Sequence, residues 1–134
     1  MGTERVSDPK LLEPVLLTFW EELQRRCKEE IPDREVRLIE TLRSDERQAW
    51  LIAEGNRTGV KHTWVSRSRH QANTRGLSEA FDVGIFRISD GKYMAEETAT
   101  WVKMVEIGKR VALDLNLPVQ SIAPKEYAHW QIRR

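Results

Sequence analysis

Cysteine, histidine and long apolar runs are all scarce in this chain. A single cysteine, Cys27, excludes an internal disulfide and fits a reducing compartment or a thiol-independent design. No stretch approaches the roughly 18 apolar residues of a membrane span, so insertion into a bilayer is not expected. The opening MGTERVSDPK holds no apolar segment of signal-peptide length, which leads us to expect synthesis in the cytosol. Charge of one sign is also lacking, because 22 Lys and Arg face 21 Asp and Glu for a formal net charge of +1. That balance gives no global reason to expect nucleic acid or an anionic membrane as partner. What is present is 134 residues, 40% hydrophobic, with five tryptophans. This is enough for one domain with a real core, residues 1–134, and too little for two of ordinary size. A monomer is expected.

Patterning along the chain predicts a compact α+β domain with a small antiparallel sheet flanked by helices. SDPKLLEPVLLTFWEELQRRCKEE reads as a helix with Ser7 or Asp8 as cap, Pro9 in its first turn and an apolar face of Leu12, Val15, Leu16, Phe19 and Leu23. Pro14 can move its start a few residues later. EVRLIETL suits a strand. SDERQAWLIAEG reads as a second helix, capped by Ser44 and stopped by Gly55, with a polar loop over 56–76. AFDVGIF is strand-like and SDGK a turn. AEETATWVKMVEIGKRVALDLN is a third helix with Trp101, Val105 and Ala112 toward the core, and YAHWQI is a final strand.

Side chains with distinctive chemistry are few. The histidines are His62, His70 and His129, so a two-histidine metal site must use most of the supply. Asp82 lies within the apolar AFDVGIF, where a carboxylate is costly to bury unless it is paired or bound to a cation. His129 lies within YAHWQI, three residues after Glu126. A catalytic zinc takes three ligands from such residues and leaves a fourth position open. His70, Asp82 and His129 can supply two nitrogens and one oxygen, with Glu126 in the preceding loop as a base that is not a ligand. Each residue also has a plainer reading: a solvated loop histidine, a turn cap or arginine partner, a satisfied strand histidine, a surface charge.

SRHQANTRGLSEAFDV followed by EYAHW resembles the zinc peptidases of peptidoglycan. That family includes D-alanyl-D-alanine carboxypeptidases and dipeptidases, and the L-alanyl-D-glutamate endopeptidases used as phage endolysins. Its signature is Ser-x-His, then Gly-x-Ala-x-Asp, then an acidic residue three positions before a second His. Ser68 and His70 match the first part, Ala80 and Asp82 the second, Glu126 and His129 the third. ETLRSDERQAWL resembles the family's strand-end arginine segment and brings in Arg43 and Gln48, so the resemblance runs from about residue 36 to 132. Eleven residues, 71–81, separate His70 from Asp82, more than the family's common spacing. An insertion such as QANTR can leave both ligands in place, because loop length costs little. The family's Trp- and Gly-rich segment before the last histidine is replaced here by LNLPVQSIAPK.

The resemblance implies a zinc ion on His70, Asp82 and His129, and Glu126 as the base that moves a proton from water to the leaving amine. Arg43 would meet a substrate carboxylate or the developing oxyanion, and Ser68 and Gln48 would contact substrate. The implied substrates are peptidoglycan stem peptides. Lack of a signal peptide or wall-binding module fits an endolysin released by a holin. L-alanyl-D-glutamate endopeptidase is favoured, with D-alanyl-D-alanine carboxypeptidase close behind and a non-catalytic cell-wall-binding or phage structural domain as the other class. The arginines at 57, 67, 69 and 75 read either as a solvated loop or as attraction to anionic wall. Trp20, Trp50 and Trp101 read as core, while Trp64 and Trp130 read as cleft lining. Cys27 reads as an inert thiol, and Ser66, Ser68 and Ser78 lack triad-like partners.

Overall fold

Capping chemistry sets where the helices begin and end in the computed structural model, which describes residues 2–63, 65 and 67–133. Asp8 accepts a hydrogen bond from the Lys10 backbone and caps a short 3-10 turn, Pro9–Leu11. Helix α1, Pro14–Glu30, starts on Pro14, whose missing N–H and fixed φ suit a first turn. Strand β1 follows at Arg34–Glu40. In helix α2, Asp45–Thr58, the Ser44 hydroxyl accepts from the Arg47 N–H at 3.0 Å. The helix runs through Gly55, the expected stop, and ends on Gly59, which takes the left-handed conformation at φ 77°. An interior glycine costs about 1 kcal/mol relative to alanine, which does not end a helix that has a better left-handed cap four residues on.

Strand β2 is Ala80–Arg87, helix α3 is Thr98–Asp114, and strands β3 and β4 are Val119–Ile122 and Glu126–Ile132. Strand β3 was not anticipated. Four residues inside LNLPVQSIAPK are too few to show a period, and the strand exists through pairing with β4. Glu126, expected in the loop before the last strand, is its first residue. The sheet is antiparallel throughout in the order β1-β2-β4-β3, so the expected α+β class with a small antiparallel sheet holds.

Helices α1 and α3 pack on each other and against the sheet. Leu16, Phe19, Leu23, Phe81, Val83, Ile85, Met104, Ile107 and Trp130 form the centre of the core. Phe19 and Trp130 lie 4.9 Å apart by ring centroid, and Trp20 meets Phe81 edge-on. Trp20 and Trp101 are core as expected, but Trp50 is 43% exposed, because α2 turns Arg47, Gln48 and Leu51 inward instead. Trp130 is fully buried rather than part of a cleft. Strand alternation explains it, since a neighbour that faces one side of the sheet sends the next residue to the other. Trp64 and Ser66 lie outside the described residues. Among the described residues no helix is long and apolar enough to cross a membrane.

Candidate active site

Strand register brings the first two functional side chains together. Asp82 on β2 stands directly opposite His129 on β4, beside the buried Phe81–Trp130 pair. With the two aromatics in the core, alternation turns Asp82 and His129 to the other face. His70 arrives from the irregular segment between α2 and β2. The Arg43 N–H donates to the His70 carbonyl at 2.7 Å, the His70 N–H donates to Ser68 Oγ at 3.1 Å, and residues 43 and 71 form a short parallel bridge. The loop carrying His70 is thereby docked on the end of β1.

The three side chains converge closely. His129 Nδ1 is 3.1 Å from Asp82 Oδ1, and His70 Nε2 is 3.3 Å from Asp82 Oδ2. The two imidazoles meet edge to face at 5.2 Å. One donor atom from each residue falls within 4.8 Å of the others, so the group could hold a metal ion. His70 Nδ1 lies 2.8 Å from the Thr41 carbonyl, which can only accept, so Nδ1 carries the proton and Nε2 is left with its lone pair. Among the described residues that buried Nε2 has no hydrogen-bond partner, although the Asp82 carboxylate stands beside it. At His129 the Nε2 edge engages Gln131 Oε1 at 2.9 Å, which leaves Nδ1 toward Asp82.

The Asp82 carboxylate thus stands between two imidazole nitrogens, His129 Nδ1 in hydrogen-bond contact with its Oδ1 and His70 Nε2 beside its Oδ2, an arrangement of donor atoms that a cation would also satisfy. Donors around a tetrahedral zinc, with bonds of about 2.0–2.1 Å, lie about 3.3 Å apart, and the contacts of Asp82 with the two imidazoles, 3.1 and 3.3 Å, match that spacing. Burial would lower the His129 pKa, but the Asp82 carboxylate outweighs it and holds the imidazole above its ordinary value. Burial likewise works to raise Asp82, and the charge of His70 with the hydrogen bond and charge of His129 hold it well below the usual carboxylate range.

These residues line a cavity of about 510 Å³ together with Arg43, His62, Ser68, Gln71, Glu79, Lys125 and Glu126. Glu126 and His129 share it although they are three residues apart. The pairing of β3 with β4 jumps from Ser121 opposite Trp130 to Ile122 opposite Glu126, and this bulge breaks the two-residue alternation. Burial, then the negative charge of Asp82, raise the Glu126 pKa, which suits a carboxylate that must take and return a proton. Gln48 is buried and outside the cavity lining. Its Oε1 accepts from Arg43 Nη1 at 2.8 Å and its Nε2 donates to the Val65 carbonyl at 2.7 Å.

Sequence reasoning missed Glu40 and Arg47. Glu40 is buried and accepts from Arg43 Nη2 at 2.8 Å and from Arg47 Nε. The spacing Val36, Leu38, Glu40, an acid in step with two apolar residues, was the available signal. The four arginines form no single patch. Arg57 pairs with Glu54, Arg75 with Glu13, and Arg69 donates to the Ile132 carbonyl, while Arg67 and Arg69 reach the cavity wall. Cys27 is buried in α1, and burial, aided by the charge of Glu30, pushes its thiol up to about 12.

No family model matches the sequence, and no curated protein does either. Among solved structures the chain is similar to the crystal structure of the L-Ala D-Glu endopeptidase ChiX of Serratia marcescens. The TM-score is 0.69 and the identity 19%, over 97% of this chain and 90% of that one, a likeness of fold.

Proposed function

We propose that this protein is a zinc-dependent peptidoglycan peptidase that hydrolyses stem-peptide bonds. The observation that carries the proposal is the convergence of His70, Asp82 and His129 in one cavity with Glu126 and Arg43. The motif resemblance and the fold likeness to an L-Ala D-Glu endopeptidase support the choice of substrate and favour the L-alanyl-D-glutamate bond. A bound zinc would supply a Lewis acid and a water acidic enough to ionise near neutral pH.

The chain's own groups would do the rest. The Asp82 carboxylate and the two imidazoles would hold the ion, with Thr41 and Gln131 fixing the ring orientations. Glu126 would accept a proton from the attacking water and return it to the leaving amine. Arg43, fixed by Glu40 and Gln48, would meet the negative charge that develops on the carbonyl oxygen or a substrate carboxylate. Ser68 would act through His70, whose backbone it holds, and Gln48 through Arg43. A single domain of this kind fits a monomeric phage or prophage endolysin made in the cytosol and released to the wall by a holin.

Digestion of purified peptidoglycan with and without a chelator, followed by mass spectrometry, tests the reading. New N-terminal D-Glu, with stem peptide freed from the glycan strand, is the expected product, and it should vanish with chelator. Release of terminal D-Ala instead would assign a carboxypeptidase. No cleavage by zinc-loaded protein would leave a non-catalytic binding domain.

A further inference from the structure

Two guanidinium groups and one carboxylate lie buried together beside the cavity. Glu40, Arg43 and Arg47 are 3%, 6% and 9% exposed. Glu40 Oε1 accepts from Arg43 Nη2 at 2.8 Å, and Oε2 is held by Arg47 Nε. Among the described residues, Glu40 is the one acid in an ion pair with either arginine. Arg47 Nη2 also donates to Glu40 Oε1 at 3.4 Å, and the other bonds go to neutral oxygens, Arg43 Nη1 to Gln48 Oε1 at 2.8 Å and Arg47 Nη1 to the Thr3 carbonyl at 2.9 Å.

Within the ion-paired cluster two positive groups stand against one negative, which leaves a positive excess that no ion pair cancels, although the charge of Glu126 in the same cavity also reaches Arg43. Burying such a charge is costly unless something pairs with it. Arg43 lines the cavity, and its buried Nε–H has no partner among the described residues. Arg47 is absent from the cavity lining. The uncancelled charge is therefore available at Arg43, on the side where a ligand enters.

We propose that Arg47 is a positioning residue that neutralises Glu40, so that Arg43 keeps a free positive charge for a carboxylate of the ligand. Without Arg47, Glu40 would be paired by Arg43 alone, and the cluster would offer the ligand nothing. The identity of that ligand, an anionic stem peptide, rests on the peptidase reading. The carboxylate subsite itself stands on the buried ion pairs.

The test reads the Arg43 Nε–H resonance by NMR in the metal-free protein, titrated with sodium acetate against sodium chloride at equal ionic strength. The resonance is assigned by its loss in Arg43→Lys. In the native protein it should shift saturably with acetate and not with chloride. Arg47→Met removes the spare charge and should weaken acetate binding about tenfold or more, the scale of a lost charge-assisted hydrogen bond. Glu40→Gln removes the competing carboxylate and should strengthen it, an outcome that a merely structural role does not produce. The double variant Glu40→Gln/Arg47→Met keeps one positive charge and should return toward native affinity.

Unchanged acetate binding in Arg47→Met, or weakened binding in Glu40→Gln, would overturn the proposal. If Arg47→Met does not fold, Glu40→Gln and the double variant decide it. With a soluble stem peptide, KM should follow the same order across the variants. Acetate binding in that order, with no peptide cleaved by the native zinc-loaded protein, would uphold the subsite and defeat the peptidase reading.

Discussion

At the scale of single residues, membership of the three-residue cluster separates the proposed ligands from the proposed base. His129 belongs to the three-residue cradle, whereas Glu126 shares the cavity without belonging to it. Glu126→Ala should therefore retain stoichiometric zinc and lose about 10²–10⁴-fold in hydrolysis, the usual reach of general acid–base catalysis. His129→Ala should lose the zinc itself, measured by metal analysis after gel filtration. Full zinc occupancy in His129→Ala would remove the residue from the ligand set, and surviving activity in Glu126→Ala would remove the base. These four residues were legible in the sequence because each is a polar group whose setting, an apolar strand or a short motif, gave it chemical meaning. Arg47 was not legible. On a helix surface an arginine is ordinary, and its importance arises only from meeting Glu40 across a turn of chain.

At the scale of elements, close packing does more than propensity. Gly108 lies in the middle of α3, where glycine is a poor helix former, yet a Cβ there would overlap the Trp130 ring, which is wholly buried. The glycine lets α3 approach β4, and that approach seals the core behind His129. Gly108→Ala should destabilise by about 1–2 kcal/mol, since overpacking costs more than the helical gain returns. A lower urea midpoint with an unchanged m-value would register it, and an unchanged or higher midpoint would contradict it. The long connection between His70 and Asp82 follows the same rule. Asn73 accepts from the Arg75 and Leu77 N–H groups and donates to Glu79, at 2.9, 3.1 and 3.2 Å, and Arg75 grips buried Glu13 at the start of α1. The QANTR segment belongs to a built turn against the first helix, a role that no local pattern announced.

At the scale of the whole molecule, the metal cradle joins a loop to two strands, with His70 from the segment before β2, Asp82 from β2 and His129 from β4. An ion bound there would tie that loop to the sheet and favour the folded state. At free zinc about 100 times Kd the gain is about 2.7 kcal/mol. Thermal unfolding should accordingly shift upward with zinc and fall back with chelator, and His129→Ala should not respond. By itself the sequence determined the class of fold, the end of α1 and the extent of α3 to within a few residues, and the types of residue in the cradle. Those features are written in apolar periodicity, caps and short motifs, which are local. Only the tertiary structure decided that β3 pairs beside β4, that a bulge sets Glu126 beside His129, and that Glu40 and Arg47 stand behind Arg43. Each depends on which strand lies opposite which, and register is set by packing across the whole sheet, not by neighbours in the chain.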